Sequence, residues 1–389
     1  MAPAKSEAHR LDLVHVPIPL GRQGSTLMAV AQSISDISEA TGHHTGAVLS
    51  DNRALSLNVS RTYFVDYTAN CPREWFTRAE LARDFAAGAL GALRPSYGRL
   101  MDPAINALAA DPPKVVLLYE GHYASASLPR WERLRSDSRI VLYVHNPVSR
   151  SYGRRELDRL LGHADRIVFC ADHLRRNVED RLGRKDSRLI TLPNGVNPKF
   201  FAVERSAPPD DDFTIAFIGR IVDNKGVHLV LEAAELARFY TGRSLRVIVV
   251  GSANYDSADA LTPYELKLRA QAAAMSVPVE FLPFADQSEV LQQLQRSAVA
   301  CLPSLWSEGL PLSALEAMAT GLPVITSDSA GMVEACGDAA AIVPSGDPAG
   351  MAREIARLAN DAAEWSAASA ASRRRATRFS WHTVVEALV

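Results

Sequence analysis

Residues 299–326, VACLPSLWSEGLPLSALEAMATGLPVIT, encode a strand, a loop, a helix and a second strand in succession. The apolar runs at the two ends of this segment have the length and composition of buried strands. Pro311 suits the first helical turn, where its missing N–H would have no partner, while Gly321 and Pro323 suit the end of the helix. This succession predicts one βαβ unit of a parallel sheet.

The same alternation of short apolar runs with longer helical patterns continues along most of the chain and predicts an α/β fold with two parallel sheets. The predicted strands of the first sheet are residues 11–18, 45–49, 115–119, 140–145, 166–170 and 189–192. Those of the second sheet are residues 213–218, 246–250, 279–282, 299–302, 323–326 and 340–343. Two domains also fit the chain length, because a domain commonly holds about one to two hundred residues.

A polar, proline-bearing segment at residues 204–212, ERSAPPDDD, separates the two predicted sheets and has no apolar periodicity. This composition is typical of a linker and places the domain boundary between residues 205 and 206. The aspartates at 210–212 precede a strand, and we interpret them as a solvated loop rather than a metal site. The predicted domains are therefore residues 1–205 and residues 206–376.

Composition excludes several classes of protein. Hydrophobic residues make up 47% and charged residues 22% of the 389 residues, which is typical of a globular chain and not of a disordered one. The 42 basic and 44 acidic residues give a net charge of -2, so the whole chain lacks the positive charge that nucleic acid attracts. Its apolar runs are far shorter than the roughly 20 residues that cross a bilayer.

The first apolar run and the cysteines indicate the compartment. Residues 11–20, LDLVHVPIPL, contain Asp12, His15 and two prolines, and no small-residue cleavage site follows them, so we interpret them as a buried strand rather than a secretion signal. The four cysteines are too widely spaced for a CxxC motif and too few for a disulfide framework. We therefore expect a cytoplasmic protein.

Two carboxylates lie close to the predicted helix in the 299–326 segment. Glu308 lies in the loop and Glu316 in the second turn of the helix, so both can face the crevice at the carboxyl ends of the strands. The helix start presents N–H groups and the positive end of a dipole, which suit phosphate oxygens. Carboxylates accept hydrogen bonds from pairs of sugar hydroxyls. A capping glutamate and an ordinary surface glutamate would explain the same residues.

A second strand, loop and helix lies at residues 217–226, FIGRIVDNKG. Gly219 allows a tight turn, and Arg220 and Lys225 flank the loop so that both cations can reach one phosphate group. A solvent-facing basic loop is the alternative. The chain has only six lysines, an arginine bias typical of a GC-rich bacterial genome, so chance explains a lysine at this position less readily. The loop therefore favours a diphosphate ligand.

The two segments together, GRIVDNKG and SEGLPLSALEAMATGLPV, resemble glycosyltransferase family 4, whose signature is two glutamates separated by seven residues. Residues 192–201, LPNGVNPKFF, resemble the interdomain segment of that family, and residues 379–389, FSWHTVVEALV, resemble its terminal helix. The resemblance implies a GT-B fold, in which two Rossmann-like domains face each other across a deep cleft. The first domain, with a helix at about residues 377–389 packing back on it, would bind the acceptor, and the second would bind the donor.

The resemblance also implies individual roles in donor binding. Arg220 and Lys225 would hold the diphosphate of a nucleotide sugar. Glu316 would bind the ribose hydroxyls, and Glu308 would bind hydroxyls of the donor sugar. The remaining donor contacts would come from Gly219, Gly309, Leu310, Pro311 and Leu312. Because enzymes of this fold use cations and helix dipoles in place of a divalent metal, we expect no metal and no cofactor, with the nucleotide diphosphate sugar as co-substrate.

The expected reaction is the retaining transfer of a hexose-type sugar. The Gly-Leu-Pro-Leu sequence after Glu308 is closer to family members that use UDP-hexoses, with GDP-sugars as the alternative. No carboxylate is placed as a nucleophile, so we expect a front-face reaction in which Arg220, Lys225 and the helix dipole stabilise the leaving diphosphate. The predicted catalytic residues are His145, Arg220, Lys225 and Glu308.

The start of the first domain matches the family less closely. Family members carry a Gly-Gly pair after the first strand, whereas this chain has PLGRQGS at residues 19–25, in which Gly24 is the candidate for the second glycine. His145 ends a predicted strand and resembles the family's histidine that contacts the donor sugar. The candidates for acceptor contacts lie at the end of the preceding strand and are Tyr119, Glu120 and His122.

The sequence leaves the acceptor open, either a small molecule or a carrier-linked one. The arginines between Arg130 and Arg188 would suit an anionic acceptor or a peripheral contact with a membrane, although acidic residues are interspersed. Two other functions share the architecture, namely a catalytically silent GT-B partner protein and a non-hydrolysing sugar-nucleotide epimerase. A monomer and a homodimer are both compatible with the sequence.

Overall fold

The chain divides into two compact units, residues Met1–Pro193 together with Trp381–Val389, and residues Asn194–Ser380. The computed structural model describes residues 10–17, 25–51, 55–68, 70, 76–90, 92, 94–119, 122–205, 207–208, 212–254 and 260–389. At residues 122 and 123 it describes the backbone alone. Both units are α/β, as the sequence predicts.

The first unit contains a seven-stranded parallel sheet with the strand order β3-β2-β1-β4-β5-β6-β7. Its strands are β1 (Leu13–Val16), β2 (Thr45–Ser50), β3 (Arg61–Val65), β4 (Val115–Tyr119), β5 (Arg139–Val144), β6 (Arg166–Phe169) and β7 (Leu189–Thr191). The sequence predicted every strand except β3. That strand lies at the sheet edge and is mostly half-exposed, so it lacks the apolar run that marks the others.

The second unit contains a six-stranded parallel sheet with the strand order β10-β9-β8-β11-β12-β13. Its strands are β8 (Phe213–Ile218), β9 (Leu245–Val250), β10 (Val279–Leu282), β11 (Val299–Leu302), β12 (Val324–Ser327) and β13 (Ala341–Val343). Strands β8 and β11 are buried along their whole length, which explains their continuous apolar runs.

Helices connect the strands throughout both units. Those between the strands of the first sheet are α1 (Thr26–Ala40), α2 (Arg78–Ala89), α3 (Asp102–Leu108), α4 (His122–Trp131), α5 (Arg154–Leu161) and α6 (Asp172–Leu182). The second unit contains α7 (Val227–Ala237), α8 (Pro263–Ala273), α9 (Gln287–Arg296), α10 (Leu312–Ala319), α11 (Ala330–Cys336), α12 (Pro348–Asn360) and α13 (Ala362–Ala376). Within the described ranges, no helix combines the length and the apolar character that a bilayer crossing requires.

The last helix, α14 (Trp381–Leu388), returns to the first unit and packs against α1. Two arginines of the first sheet hold its carboxyl end. Arg139 Nη2 donates to the carbonyl of Leu388 at 2.7 Å, and Arg166 Nη1 donates to that of Ala387 at 3.1 Å. The first unit is therefore assembled from two separated stretches of the chain.

The predicted boundary at residues 205 and 206 falls inside the second unit, because the preceding segment is bonded to that unit. Asn194 Nδ2 donates to the carbonyl of Leu310 at 3.1 Å. Arg205 donates Nε to the carbonyl of Thr320 at 2.9 Å and Nη1 to that of Ser297 at 2.9 Å. A polar composition marked Arg205 as part of a linker, yet its guanidinium is what fastens the segment to the second unit.

Each sheet contains one position at which the strand order reverses. In the first sheet, β1 lies between β2 and β4, and in the second, β8 lies between β9 and β11. Connections leave such a pair of strands toward opposite faces, which opens a crevice at their carboxyl ends. The two crevices are the places in the fold where ligands are expected.

Candidate functional site

The crevice of the second unit is formed by the loop that follows β8 and the loop that follows β11. The β8 loop passes through Gly226, which has a φ of 72° and faces the β11 loop so closely that a Cβ would overlap the carbonyl oxygen of Pro303. A side chain at this position would be both strained and obstructed. The glycine therefore lets the two predicted motifs pack directly on each other.

Lys225 and Glu308 form an ion pair across these two loops. The Lys225 Nζ lies 2.5 Å from Glu308 Oε1, and the glutamate side chain is buried. Sequence reasoning assigned the lysine to a phosphate and the glutamate to a sugar without relating the two. The structure brings them together as one cation and one carboxylate at the carboxyl ends of β8 and β11.

Two serines that sequence reasoning missed hold Glu308 in place. Ser304 Oγ donates to Glu308 Oε1 at 2.6 Å. The Glu308 N–H donates to Ser329 Oγ at 3.4 Å, and Ser329 Oγ in turn donates to the carbonyl of Trp306 at 2.6 Å. Both serines belong to loops that follow buried strands. Their position just after a predicted strand is the feature of the sequence that could have identified them.

Helix α10 begins immediately after this ion pair. Pro311 is the residue before the helix, with φ −73° and ψ 117°, rather than the first helical residue that its sequence position suggested. Gly309 and Leu310 lead into it, and Leu312 is the first helical residue. No acidic residue occupies the first turn, so the N–H groups and the positive dipole end there are free of a competing carboxylate from the helix itself.

Glu316 lies one turn into α10 and has different neighbours from Glu308. Gln287 Nε2 donates to Glu316 Oε1 at 3.3 Å. Burial raises the pKa of Glu316 to about 7, and the charge of Lys199 and the hydrogen bond from Gln287 only partly offset this effect. The carboxyl group therefore changes its charge near neutral pH.

Arg220 follows Gly219 directly at the end of β8 and has an exposed side chain. In the same turn, the Gly219 N–H donates to the carbonyl of Val250 at 3.1 Å, which keeps the loop joined to β9. Arg220 therefore lies at the edge of the crevice with its side chain exposed. Among the described residues, no three His, Cys, Asp or Glu side chains lie close enough to hold a metal ion together.

The strands at the crevice of the first unit carry four aromatic rings, which we name the ring ladder: His15, Tyr119, Tyr143 and His145. Their strands β1, β4 and β5 are neighbours in the sheet. His15 and Tyr119 stack with ring centroids 5.9 Å apart, Tyr119 and His145 stack at 6.3 Å, and the Tyr143 and His145 rings are 4.4 Å apart.

The ring ladder is buried and is joined by hydrogen bonds. His15 Nδ1 and the Tyr119 hydroxyl share a hydrogen bond of 2.7 Å, and the Tyr143 hydroxyl donates to the carbonyl of Leu192 at 2.9 Å. Burial lowers the pKa of His15 to about 3, so its ring is neutral at physiological pH. The predicted residue His145 thus stands at the end of a buried stack in which the His15 ring is neutral.

The other residues predicted to contact ligands in the first domain are Tyr119, His122, Gly24 and Glu120. Tyr119 is fully buried within the ring ladder, where its hydroxyl bonds to His15. His122 is the first residue of α4, and its side chain is outside the described atoms. Gly24 and Glu120 lie outside the described residues.

Two family models match the chain over adjacent segments. The model described as Glycosyltransferase Family 4 matches residues 76–200, and the model described as Glycosyl transferases group 1 matches residues 199–375. Together they cover most of both units. The chain belongs to glycosyltransferase family 4. The resemblance drawn from the Lys225 and Glu308 segments is thereby confirmed.

A curated relative of this family 4 chain is D-inositol 3-phosphate glycosyltransferase from Nocardia farcinica. It is 29% identical over 256 residues, which is 62% of this chain and 55% of the relative. The chain thus matches about half the length of this relative.

Solved structures support the GT-B fold of the family 4 chain. Sucrose-phosphate synthase from Thermosynechococcus elongatus matches with a TM-score of 0.71 and 16% identity, covering 96% of this chain and 97% of that one. HepE from Anabaena, solved in complex with UDP and glucose, matches with a TM-score of 0.68 and 14% identity, covering 97% and 98%. At these identities the likeness shows the fold, and it confirms the predicted GT-B class.

Proposed function

We propose that this chain is a retaining glycosyltransferase that moves a hexose-type sugar from a nucleotide diphosphate sugar to an acceptor. One observation carries the proposal, namely the Lys225–Glu308 ion pair at the carboxyl ends of β8 and β11, directly before α10. It places a cation, a carboxylate and a helix start within one crevice. These are the groups that a diphosphate and a sugar require.

The ion pair also suggests how a donor would enter. Without a donor, the charge of Lys225 is balanced by Glu308. A diphosphate would compete for Lys225 and release the carboxylate, which could then accept hydrogen bonds from sugar hydroxyls while Ser304 keeps its orientation. The diphosphate and the sugar of the donor would thus both be needed to replace the Lys225–Glu308 ion pair.

We propose a UDP-sugar as donor, with a GDP-sugar as the alternative. The solved complex of HepE with UDP and glucose supports this choice, since HepE shares the fold. Glu316 would accept hydrogen bonds from the ribose hydroxyls. Gln287 donates to it and holds the carboxylate in position on α10.

The proposed chemistry needs negative charge on the leaving diphosphate to be stabilised as the anomeric C–O bond breaks. Arg220, Lys225 and the start of α10 would supply that stabilisation without a divalent metal or a cofactor. The departing phosphate would take the proton of the acceptor hydroxyl in a front-face reaction. His145 stays a predicted contact of the donor sugar. Activity that persists in excess EDTA would support the metal-independent route.

The acceptor is proposed by class alone. The Nocardia farcinica relative is named for D-inositol 3-phosphate, which makes a phosphorylated polyol the first acceptor to test. Small-molecule and carrier-linked acceptors are both compatible with the proposal. The cytoplasmic location and the choice between monomer and homodimer also stay predictions.

Thermal unfolding with a panel of nucleotide sugars tests the donor site. A donor at a hundred times its Kd should add about 2.7 kcal/mol to the free energy of unfolding, so the melting temperature should rise. We expect a rise with UDP-hexoses that is lost in Lys225→Ala. The matched control is Lys267→Ala, because Lys267 is an exposed lysine on α8.

Turnover distinguishes the remaining alternatives. Transfer to an acceptor supports the proposal. Donor binding without turnover across acceptors would indicate a catalytically silent GT-B partner protein, and an epimerised sugar nucleotide formed without acceptor would indicate an epimerase. Absence of any shift with every nucleotide sugar would contradict the proposed site.

A further inference from the structure

Helix α2 of the first unit exposes its apolar residues and buries its polar ones. Phe85 is 70% exposed and Leu81 is 39% exposed, and Leu90, which caps the helix, is 87% exposed. Four alanines of the helix are exposed on the same side, namely Ala79, Ala82, Ala86 and Ala89. At a spacing of 3.6 residues per turn, these residues form one continuous apolar face, which we name the α2 face.

The opposite side of α2 is fixed to the first unit by polar contacts. The buried residues of the helix are Asp84 and Gly88. Asp84 accepts hydrogen bonds from the N–H groups of Ser96 and Tyr97 at 3.0 and 2.9 Å. A Cβ at Gly88 would overlap Glu156, whose carboxylate forms a buried ion pair with Arg94 at 2.8 Å. The helix therefore cannot rotate to bury its apolar face.

Among the described residues of α2, the exposed charged side chains are positive. Arg78 and Arg83 of α2 are exposed, and neither forms an ion pair with another described residue. The carboxylates of the same segment are engaged with the backbone: Asp84 as described, and Glu80 with the Thr77 N–H at 2.7 Å in a capping box. The surface thus combines a leucine and phenylalanine stripe with arginines.

The arginine-rich stretch between Arg130 and Arg188 offers a contrast. Many of its guanidinium groups are already paired, as in Arg135 with Asp165 at 2.5 Å and Arg188 with Asp186 at 2.8 Å. A membrane surface would have to displace these carboxylates. The α2 face carries its arginines without such partners among the described residues.

We propose that the α2 face binds the surface of an anionic lipid membrane. The phenylalanine and leucines would enter the boundary between head groups and acyl chains, and the arginines would contact the anionic head groups, as in other interfacial helices. This inference rests on α2 alone and is independent of the proposed transfer reaction.

The charge distribution favours a membrane over a second copy of the chain. A two-fold dimer through the α2 face would bring the same patch of each copy together, so arginines of like charge would meet across the interface. An anionic lipid surface instead complements both arginines at once. The convex outer side of one helix also fits a planar surface without a matching groove.

Vesicle flotation of the full chain tests the proposal. We expect binding to vesicles in which about a third of the lipid is phosphatidylglycerol and much weaker binding to pure phosphatidylcholine, with a loss at high salt. Phe85→Ser should weaken binding about tenfold or more, since it removes the largest apolar side chain of the face. The matched control is Phe239→Ser, because Phe239 is 67% exposed in the second unit.

A second pair of variants tests the charges. Arg78→Gln should weaken binding to the anionic vesicles about fivefold, which corresponds to one arginine near a charged surface. Arg378→Gln, at an exposed arginine of the second unit, should leave binding unchanged. Thermal unfolding of each variant shows whether the fold is retained.

Three results would overturn the proposal. The first is no binding of the wild-type chain to anionic vesicles. The second is equal weakening by Phe85→Ser and Phe239→Ser, which would show that exposed phenylalanines act without regard to place. The third is a homodimer, measured by light scattering, that dissociates in Phe85→Ser while vesicle binding is absent, because a second copy would then cover the face.

Discussion

The two crevices of this molecule occupy equivalent places in two similar sheets, yet one is built from charges and the other from rings. At the β8 and β11 ends, Lys225 and Glu308 form an ion pair held by serines. At the β1 and β4 ends, His15 and Tyr119 form a neutral, fully buried stack. The fold fixes where a ligand can bind, and the residues at the strand ends decide which chemistry the place can support.

The largest expected difference between the crevices lies in catalysis. Lys225→Ala should lower the transfer rate 10²- to 10³-fold, or about 3 kcal/mol in the barrier, because it removes a cation aimed at the leaving diphosphate. Steady-state kinetics with the donor identified by thermal unfolding measures the effect. Lys267→Ala should retain the full rate, and an equal loss in both variants would show that the ion pair has no special role.

A second effect concerns the packing behind the charged crevice. Gly331 lies in α11, and a Cβ there would overlap the carbonyl oxygen of Gly309. Gly331→Ala should therefore cost about 2 kcal/mol of unfolding free energy and weaken donor binding, although alanine is the better helix former.

Gly242→Ala is the matched control, since a Cβ there meets nothing within 4 Å. Urea unfolding and donor titration of both variants measure the difference. If Gly331→Ala binds donor as the wild type does, the α11 contact does not shape the Glu308 loop.

The pH dependence of stability should have opposite signs at the two crevices. The pKa of His15 is lowered from 6.5 to about 3, so the unfolded chain binds the extra proton and stability falls as the pH drops below about 6.5. The pKa of Glu316 is raised from 4.5 to about 7, so the folded chain binds the extra proton and stability falls as the pH rises from 4.5 to about 7.

Variants separate these two opposing slopes. Between pH 4.5 and 6.5, His15→Gln should remove the loss of stability toward low pH, and Glu316→Gln should remove the loss of stability toward high pH. Each variant should change the slope of the unfolding free energy by up to about 1.4 kcal/mol per pH unit. Urea unfolding at several pH values measures both. Variants whose slopes change in the same direction would contradict the opposite burial effects.

The smallest expected effect concerns the hydrogen bond within the ring ladder. Tyr119→Phe keeps the ring and removes the hydroxyl that bonds to His15, so it should cost about 1 kcal/mol of stability. Tyr63→Phe is a control at a half-exposed tyrosine of β3. If Tyr119→Phe also alters the KM for the donor while leaving kcat unchanged, the ring ladder positions His145 for binding.

Sequence reasoning succeeded where nearby residues mark the ends of strands and helices. Prolines, glycines and apolar runs located the strands and the start of α10 to within a few residues. The two motifs that contain Lys225 and Glu308 located the charged crevice. It recognised Tyr119 and His145 separately, as residues at strand ends. It did not join them to His15, because their contact depends on β1, β4 and β5 being neighbours, and strand order is a tertiary property.

The remaining misses have a similar physical origin. Strand β3 is half-exposed at a sheet edge and shows no apolar run, and α2 has its apolar residues outside, so amphipathic periodicity could not reveal which face is buried. The domain boundary was placed too late because Arg205 satisfies backbone carbonyls rather than solvent.

The return of α14 to the first unit sets an order on the biosynthesis of the molecule. The sheet of that unit emerges first from the ribosome, but the helix that packs against α1 emerges only after the entire second unit has been made. The second unit is continuous in sequence and can complete its fold during synthesis, whereas the first must wait for residues 381–388. During that interval the surface of α1 that α14 later covers is left to solvent or to a chaperone.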